Sequence, residues 1–392
     1  MSEERFGKWW PCLRKHYKRI HCWLPQAKRL RDDIGGTRPF RYFTLCARPM
    51  IDVYMLVKEG VLAFDGVARR VKGVSFCELD ERIFPEMTEL IGAEESGFLA
   101  RLEELVLFQD IPETQTLDSD DALTQFREVL LEEQGERVDE VIAAKVEEKR
   151  RHLLFRRMFP FDFINLDFCD RYYGAPPDVM KIHSTIDRLL EWQRQPGTAA
   201  SGGAFSVGTF VVAITCRVDV TTPPDALNRL KQIVRTNCAE YVTYKQALSD
   251  RAVNNLDEWA TRAPLDFFMS AWPKEIARLA KQKSWDIVVH HHAFYDRQND
   301  EGEPYNMVCL VVEFTQALIC HTYLEAVTTC LDMSARKEIP RFDPDQGDGV
   351  ALLADLRDIV ALRNAQAKTF ARDLLPDPFY EITRLRAAGI PI

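Results

Sequence analysis

The chain has 392 residues, of which 46% are hydrophobic and 28% charged, a balance that suits one large α/β domain or two smaller ones and excludes a disordered chain. No stretch reaches the ~18 consecutive apolar residues of a bilayer span, and the opening residues lack an apolar secretory core, so a cytoplasmic protein with no membrane partner is expected. The net charge of −9 conceals an asymmetry: residues 1–42 carry eleven Lys/Arg against four Asp/Glu, while the remainder carries 40 against 56.

The chain begins with a basic, aromatic-rich extension over residues 1–37, in which Arg14, Lys15, Lys18 and Arg19 are interleaved with Trp9, Trp10, Tyr17 and Trp23. Stacking combined with phosphate attraction would suit single-stranded nucleic acid. The same residues suit an amphipathic helix with its aromatics packed inward. They equally suit docking on the acidic body or on an acidic protein partner.

From residue 38 onward, apolar runs of strand length alternate with helical stretches, as in a parallel sheet with crossover helices. Strands are expected at 41–47, 74–80, 105–110, 161–169 and 209–216. Between them lie a helix over 50–60, a helix-like stretch through Leu90 and a helical insertion within 111–158 with an apolar period at Leu123, Phe126 and Leu130. A short helix near 186–192 precedes a Gly/Ser/Ala-rich stretch, 196–208, expected to be a flexible loop. Pro223, Pro224 and Asp225 open a helix with a stripe at Leu227, Leu230, Ile233 and Val234. The runs 286–295 and 307–314 are separated by a polar turn too short for a helical crossover, so they should pair antiparallel. A tail over 317–392 contributes one amphipathic helix (Leu352, Leu353, Leu356, Ile359, Val360, Phe370). The expected fold is α/β: seven strands, mostly parallel, closed by an antiparallel hairpin, with helices on both faces.

Of ten cysteines, Cys46, Cys77, Cys169, Cys216 and Cys309 fall in apolar strand-like runs, where a thiol acts as a small hydrophobe in a reducing compartment. Cys12, His16, His21 and Cys22 lack a zinc knuckle, and adjacent strand residues such as His290, His291 and His292 point to opposite faces, so no metal site is expected. The nucleophile elbow, the phosphate-binding loop and the HExxH motif are all missing from the sequence, which disfavours hydrolase, nucleotidase and zinc-protease chemistry.

The order of elements over about residues 38–316, with acids at three strand ends, resembles the class I S-adenosylmethionine-dependent methyltransferases of Rossmann-like fold. The resemblance implies that Glu78 accepts hydrogen bonds from a ribose diol, that Asp110 contacts the adenine, and that Asp167 lies beside the methyl donor and substrate as the candidate catalytic residue. Cys46 and Ala47 would line the cofactor. Asn165-Leu-Asp-Phe-Cys-Asp170 is also similar to the fourth-strand segment of the three-Cys-motif partner proteins, without their Pro-Gly pair. An acid after a strand also caps the next helix, and Asp80 is the best candidate for capping alone. The first-strand turn departs from the family: Leu45-Cys-Ala-Arg-Pro-Met50 has no glycine, and Pro49 removes a backbone donor. Either S-adenosylmethionine binds differently, or the site is vestigial.

Three functions follow as expectations. The first is a methyltransferase-like protein acting on, or bound to, a macromolecule, preferably nucleic acid held through Arg14, Lys15, Lys18 and Arg19. The second is a non-catalytic scaffold subunit of a protein complex. The third, a nuclease-like metal enzyme using Asp167, Asp170 and a histidine, has the least support.

Overall fold

The computed structural model describes residues 13–45, 50–66, 70–79, 81, 84–91, 97–107, 139–174, 179–198, 204–218, 222–250, 253–298, 304–317, 336–343 and 346–370. The N-terminal extension is helical: α1 (Leu13–Lys18) runs through a π-helical turn (Arg19–Trp23) into α2 (Leu24–Ile34), which ends on a left-handed Gly35. Strand β1 (Tyr42–Leu45) leads to α3 (Ile51–Lys58), and a two-stranded ribbon, β2 (Phe64–Asp65) with β3 (Arg70–Val71), precedes β4 (Val74–Glu78). Gly73, at φ 77°, turns into β4 where a side chain would collide with the Phe40 carbonyl.

Helix α4 (Phe84–Ile91), strand β5 (Gly97–Leu99), α5 (Leu102–Val106) and the long α6 (Asp139–Arg157) follow. Then come β6 (Phe163–Arg171), α7 (Lys181–Trp192), the small ribbon β7 (Gly197–Thr198) with β8 (Ala204–Phe205), and β9 (Thr209–Val218). Four helices, α8 (Pro224–Glu240), α9 (Val242–Asp250), α10 (Leu256–Arg262) and α11 (Pro264–Gln282), lead to β10 (Trp285–Gln298) and β11 (Pro304–Gln316). A short β12 (Arg336–Glu338) and α12 (Gly347–Phe370) complete the described chain.

The fold is mixed α/β, built on one eight-stranded sheet in the order β12-β10-β11-β9-β6-β1-β4-β5. Strands β5, β4, β1, β6 and β9 pair in parallel, whereas β11 runs antiparallel to both β9 and β10. The antiparallel pairing of 286–295 with 307–314 is therefore present, but it does not close the sheet. Strand β12 pairs parallel to β10 beyond it, adding an eighth strand at that edge.

Strand alternation sorts the core into two layers, one on each face. Tyr42, Phe163, Val211, Ala213, Cys309 and Val311 pack with α2, α3 and α12 on one face. Phe43, Ile164, Leu166, Val212, Ile214 and Leu310 pack with α7, α8 and α11 on the other. The N-terminal helices lie outside the sheet, yet belong to the first layer. Trp23 is fully buried there, its ring centroid 5.3 Å from Phe163 and 6.4 Å from Tyr42. Cys77, Cys216 and Cys309 are buried free thiols, as expected of strand cysteines.

Two further expectations are corrected. The third strand is not 105–110: Leu105 and Val106 end helix α5, and the strand beside β4 is Gly97–Leu99. Leu102, Leu105 and Val106, at i, i+3 and i+4, bury one face of a helical turn, while Glu104 accepts the Arg101 N–H at 3.3 Å to close its start. The true strand opens on a glycine because a Cβ there would lie 2.7 Å from the Phe76 ring. The second correction is the stretch 196–208, which carries the β7–β8 ribbon instead of being loop throughout.

Candidate functional site

In an open, mostly parallel sheet the ligand crevice lies outside the carboxyl ends of the strands, where the strand order reverses. Here that point is between β1 and β6, since the chain winds from β1 outward to β4 and β5 and then returns to β6. The polar residues beneath it are Thr44 at the end of β1, Asp52 in the first turn of α3, Asn165 and Asp167 on β6, and Thr215 on β9. Asp167 and Thr215 are partners in the β6–β9 register, after which β6 leaves register.

The turn into α3 rests on Met50, a buried residue with φ 50° and ψ 34°. That left-handed conformation is what a glycine would adopt readily, and a methionine takes it at some strain. It directs Asp52 inward, where one oxygen accepts from Tyr42 Oη at 2.7 Å, Thr44 Oγ1 at 2.6 Å and Asn165 Nδ2 at 3.4 Å. All four side chains are buried, so this carboxylate is satisfied by neutral donors built into the sheet and by the start of the helix.

Asp167 is satisfied differently. Lys15 Nζ reaches its Oδ2 at 3.0 Å and Lys18 Nζ stands 3.7 Å from the same oxygen, while Lys18 also donates to Thr215 Oγ1 at 2.6 Å. Burial alone would raise the Asp167 carboxyl, but the field of Lys15, Lys18 and Arg19, with the Lys15 hydrogen bond, outweighs it and holds the group well below the usual carboxylate range. Neighbouring residues of α1 bind other elements. Arg14 donates to Asp296 Oδ1 at 2.6 Å and to the Pro340 carbonyl at 3.1 Å, and His16 meets Asp355 at 2.8 Å. Burial pushes the His16 imidazole down despite that bond. Farther along, Lys28 pairs with Glu59 and Arg29 with Glu313. The basic extension is thus docked on the acidic body of its own chain.

Of the residues singled out in the sequence, Asp167 and Lys15 and Lys18 come together, which their separation in the chain did not foretell. Arg14 lies on the same helix but ties to β10, and Arg19 acts on Asp167 through its charge. Glu78 ends β4, half-buried, with its carboxylate accepting the Leu79 N–H at 2.7 Å. Cys46, Ala47, Asp80 and Asp110 lie outside the described residues, as do Trp9, Trp10 and Cys12. Among the described residues no group of three or more His, Cys, Asp or Glu side chains is arranged to hold a metal ion, and no helix is long and apolar enough to cross a membrane. His290 instead contacts Glu313 at 2.8 Å, and a bulge between Val289 and His291 interrupts the strict alternation of that strand.

A second polar cluster, missed in the sequence, sits just past β6 on the opposite face. Arg229 Nε donates to Glu275 Oε1 at 2.6 Å, and His183 Nδ1 lies 3.1 Å from that oxygen. With Arg229 Nη2 donating to His183 Nε2 at 3.0 Å, the imidazole is neutral and carries its proton on Nδ1. Burial first, then Arg229 and Arg278, push His183 down to about 3. These residues come from three helices distant in sequence, and only the i, i+3, i+4 stripes that bury those helices hint at their meeting.

No family of known proteins, no curated protein and no solved structure matches this chain. The site therefore stands on its geometry. Glu78, the acid expected at a ribose, closes β4 half-buried, with one oxygen accepting the Leu79 N–H. Asp167, the acid expected beside a methyl donor, is already matched by two ammonium groups from α1.

Proposed function

We propose that this protein is a methyltransferase-like, Rossmann-type nucleoside binder, related in architecture to the class I S-adenosylmethionine-dependent methyltransferases, that works on or bound to a macromolecule. The observation that carries the reading is the strand order β5-β4-β1-β6-β9-β11-β10 with β11 alone reversed. In this reading the crevice lies at the carboxyl ends of β1 and β4, beside the reversal between β1 and β6. Glu78 is the ribose ligand in this reading, and Asp167 marks the acceptor side. Arg14, Lys15 and Lys18 are engaged within the chain, so a nucleic-acid partner would have to meet other bases, such as exposed Arg150, Arg156 and Arg157 of α6, of which Arg150 also bonds Glu147 and Arg156 also bonds Gln195.

The test is a calorimetric titration of S-adenosylhomocysteine into the full-length protein and into Glu78→Ala. One saturable site is expected in the first. In the second, affinity should fall at least about tenfold, because two charge-assisted hydrogen bonds are lost. Absence of binding to the wild type, or equal binding to both, overturns the reading. A second reading, a non-catalytic scaffold in a protein complex, is favoured by one observation: the candidate catalytic Asp167 is bonded to Lys15.

A further inference from the structure

On a chain of net charge −9, a group of arginines lies at the amino ends of the strands, away from the crevice described above. Arg41 directly precedes β1, residues 158–162 precede β6, and Phe205 lies shortly before β9. The half-buried Phe205 ring carries two guanidinium groups against it, Arg38 at 4.8 Å and Arg41 at 5.1 Å from its centroid. Arg38 is aimed by Asp162 at 2.7 Å, a carboxylate only 2% exposed, and Arg41 by the Met158 carbonyl. Phe205 pairs with Gly197 across the β7–β8 ribbon. Two residues before that glycine, Gln195 accepts from Arg156 at 3.3 Å, a neutral partner that leaves the arginine its charge. Arg156 and Arg157 at the end of α6 and Arg194 just past α7 are exposed.

Arg38 also lines a cavity of about 360 Å³, shared with Arg31 and Lys72 and with apolar Ile34, Phe40 and Val61. Asp32 and Asp65 offset Arg31 and Lys72, so the cavity is near neutrality, and it is of small-ligand size. A surface for acidic groups alone would need charge and nothing more. Here charge is joined to an aromatic ring and an apolar-walled cavity, the combination that holds single strands by their phosphates and unstacked rings together. We propose that this end of the sheet is an interface for single-stranded nucleic acid. Arg156, Arg157 and Arg194 meet phosphates, Phe205 with Arg38 and Arg41 stacks one nucleobase, and the cavity beside Arg38 receives a neighbouring one. A duplex keeps its rings inside and gives Phe205 nothing to stack on. This deepens the reading above, resting on its macromolecular partner and not on its nucleoside crevice.

The test is fluorescence anisotropy of short labelled oligouridine and oligothymidine with the full-length protein over a salt series. Wild type is compared with Arg156→Gln/Arg157→Gln/Arg194→Gln and with Phe205→Leu. A control, Arg235→Gln/Lys245→Gln/Arg262→Gln, removes equal charge from exposed positions of α8, α9 and α10. The first triple variant should bind at least about tenfold more weakly than wild type, with a log–log salt slope flatter by about two units, at ~0.7 for each phosphate released. Phe205→Leu should lose at least about fivefold with its slope unchanged. The control should stay within about threefold of wild type, its charges being screened from the strand. Equal loss in the two triple variants, no loss in either, or an unaffected Phe205→Leu overturns the proposal. So does polyglutamate competing as well as unlabelled oligonucleotide, which would make the partner an acidic protein. If Phe205→Leu melts early, the exposed triple variants decide. Oligonucleotide binding without S-adenosylhomocysteine binding leaves this surface standing and removes the nucleoside reading. The converse removes this surface alone, and absence of both removes both.

Discussion

Asp52 and Asp167 lie at neighbouring strands of one sheet and on the same face of it, yet they are satisfied by different means. Asp52 draws on Tyr42, Thr44 and Asn165, donors that belong to β1 and β6 themselves. Asp167 draws on Lys15 and Lys18, carried in by a helix that forms no strand of the sheet. The first arrangement is inseparable from the fold, because breaking it orphans groups inside the sheet. The second depends on a helix that packs on the sheet from outside it. One carboxylate is satisfied within the sheet framework, and the other by a contact between the sheet and the N-terminal extension.

The largest effect that could break this comparison is expected at Asp52. Asp52→Ala removes the acceptor of Tyr42 Oη and Thr44 Oγ1, Asn165 still donating to Thr44 at 3.2 Å, and should lower global stability by about 2 kcal/mol, at roughly one for each bond. Urea unfolding followed by circular dichroism measures it. A loss below about 1 kcal/mol would show that water or a rearranged Asn165 replaces the carboxylate, and the framework role would fail.

Acid should separate the extension from the sheet next. Asp167, Asp296, Asp355 and Glu313, which anchor α1 and α2, are all held below their ordinary values, by Lys15, Arg14, His16 with Lys58, and His290 with Arg29 respectively, each against the opposing effect of burial. A depressed carboxyl contributes stability that is fully present above its unfolded value, about 4. That contribution is lost as pH falls through the lower folded value. Hydrogen exchange corrected for intrinsic rate should therefore show α1 and α2 well protected at pH 6 and losing protection below about pH 4. The β1–β6 ladder should keep its protection longer. Simultaneous loss in both regions would mean that the extension and the sheet form one cooperative unit.

The smallest effect is expected at the solvent-facing end of the same extension. Arg31, whose partner Asp32 is mostly exposed, also donates to the Gly60 carbonyl at 2.9 Å. Arg31→Ala should change stability by no more than about 0.5 kcal/mol, as is usual for screened surface pairs. A change several times larger would place α2 among the elements that hold the sheet, and thermal melts at low and high salt would register it.

The sheet was largely legible in the amino-acid sequence because its central strands are apolar runs bounded by turns. Tyr42–Leu45, Val74–Glu78, Phe163–Arg171, Thr209–Val218 and the β10–β11 pair all fall where such runs predict them. Strand β5 was not legible: three residues opening on glycine give no alternation to read. The run after it, 105–110, looked like a strand only because leucine and valine serve short helices and short strands equally. Strand β12 is equally short, and it pairs with His292–Phe294 in the middle of β10.

At the site, acids after strands pointed to Glu78 and Asp167. Nothing local distinguishes Asp52 from an ordinary first-turn helix acid, and its role appears only when β6 brings Asn165 alongside. The basic leader was legible as charge, and its possible docking on the acidic body followed from the asymmetry between the two parts of the chain. Which base meets which acid did not, since Lys15 and Asp167 are 152 residues apart.

The most direct measurement of the central claim is a hydrogen-exchange footprint of the full-length protein with and without saturating S-adenosylhomocysteine. New protection is expected in peptides spanning the carboxyl ends of β1 and β4, at Leu45 and Glu78, with β10 and β11 unchanged. Protection confined to β10 and β11, or none at all, would contradict a nucleoside crevice at the ends of β1 and β4, beside the point where the strand order reverses.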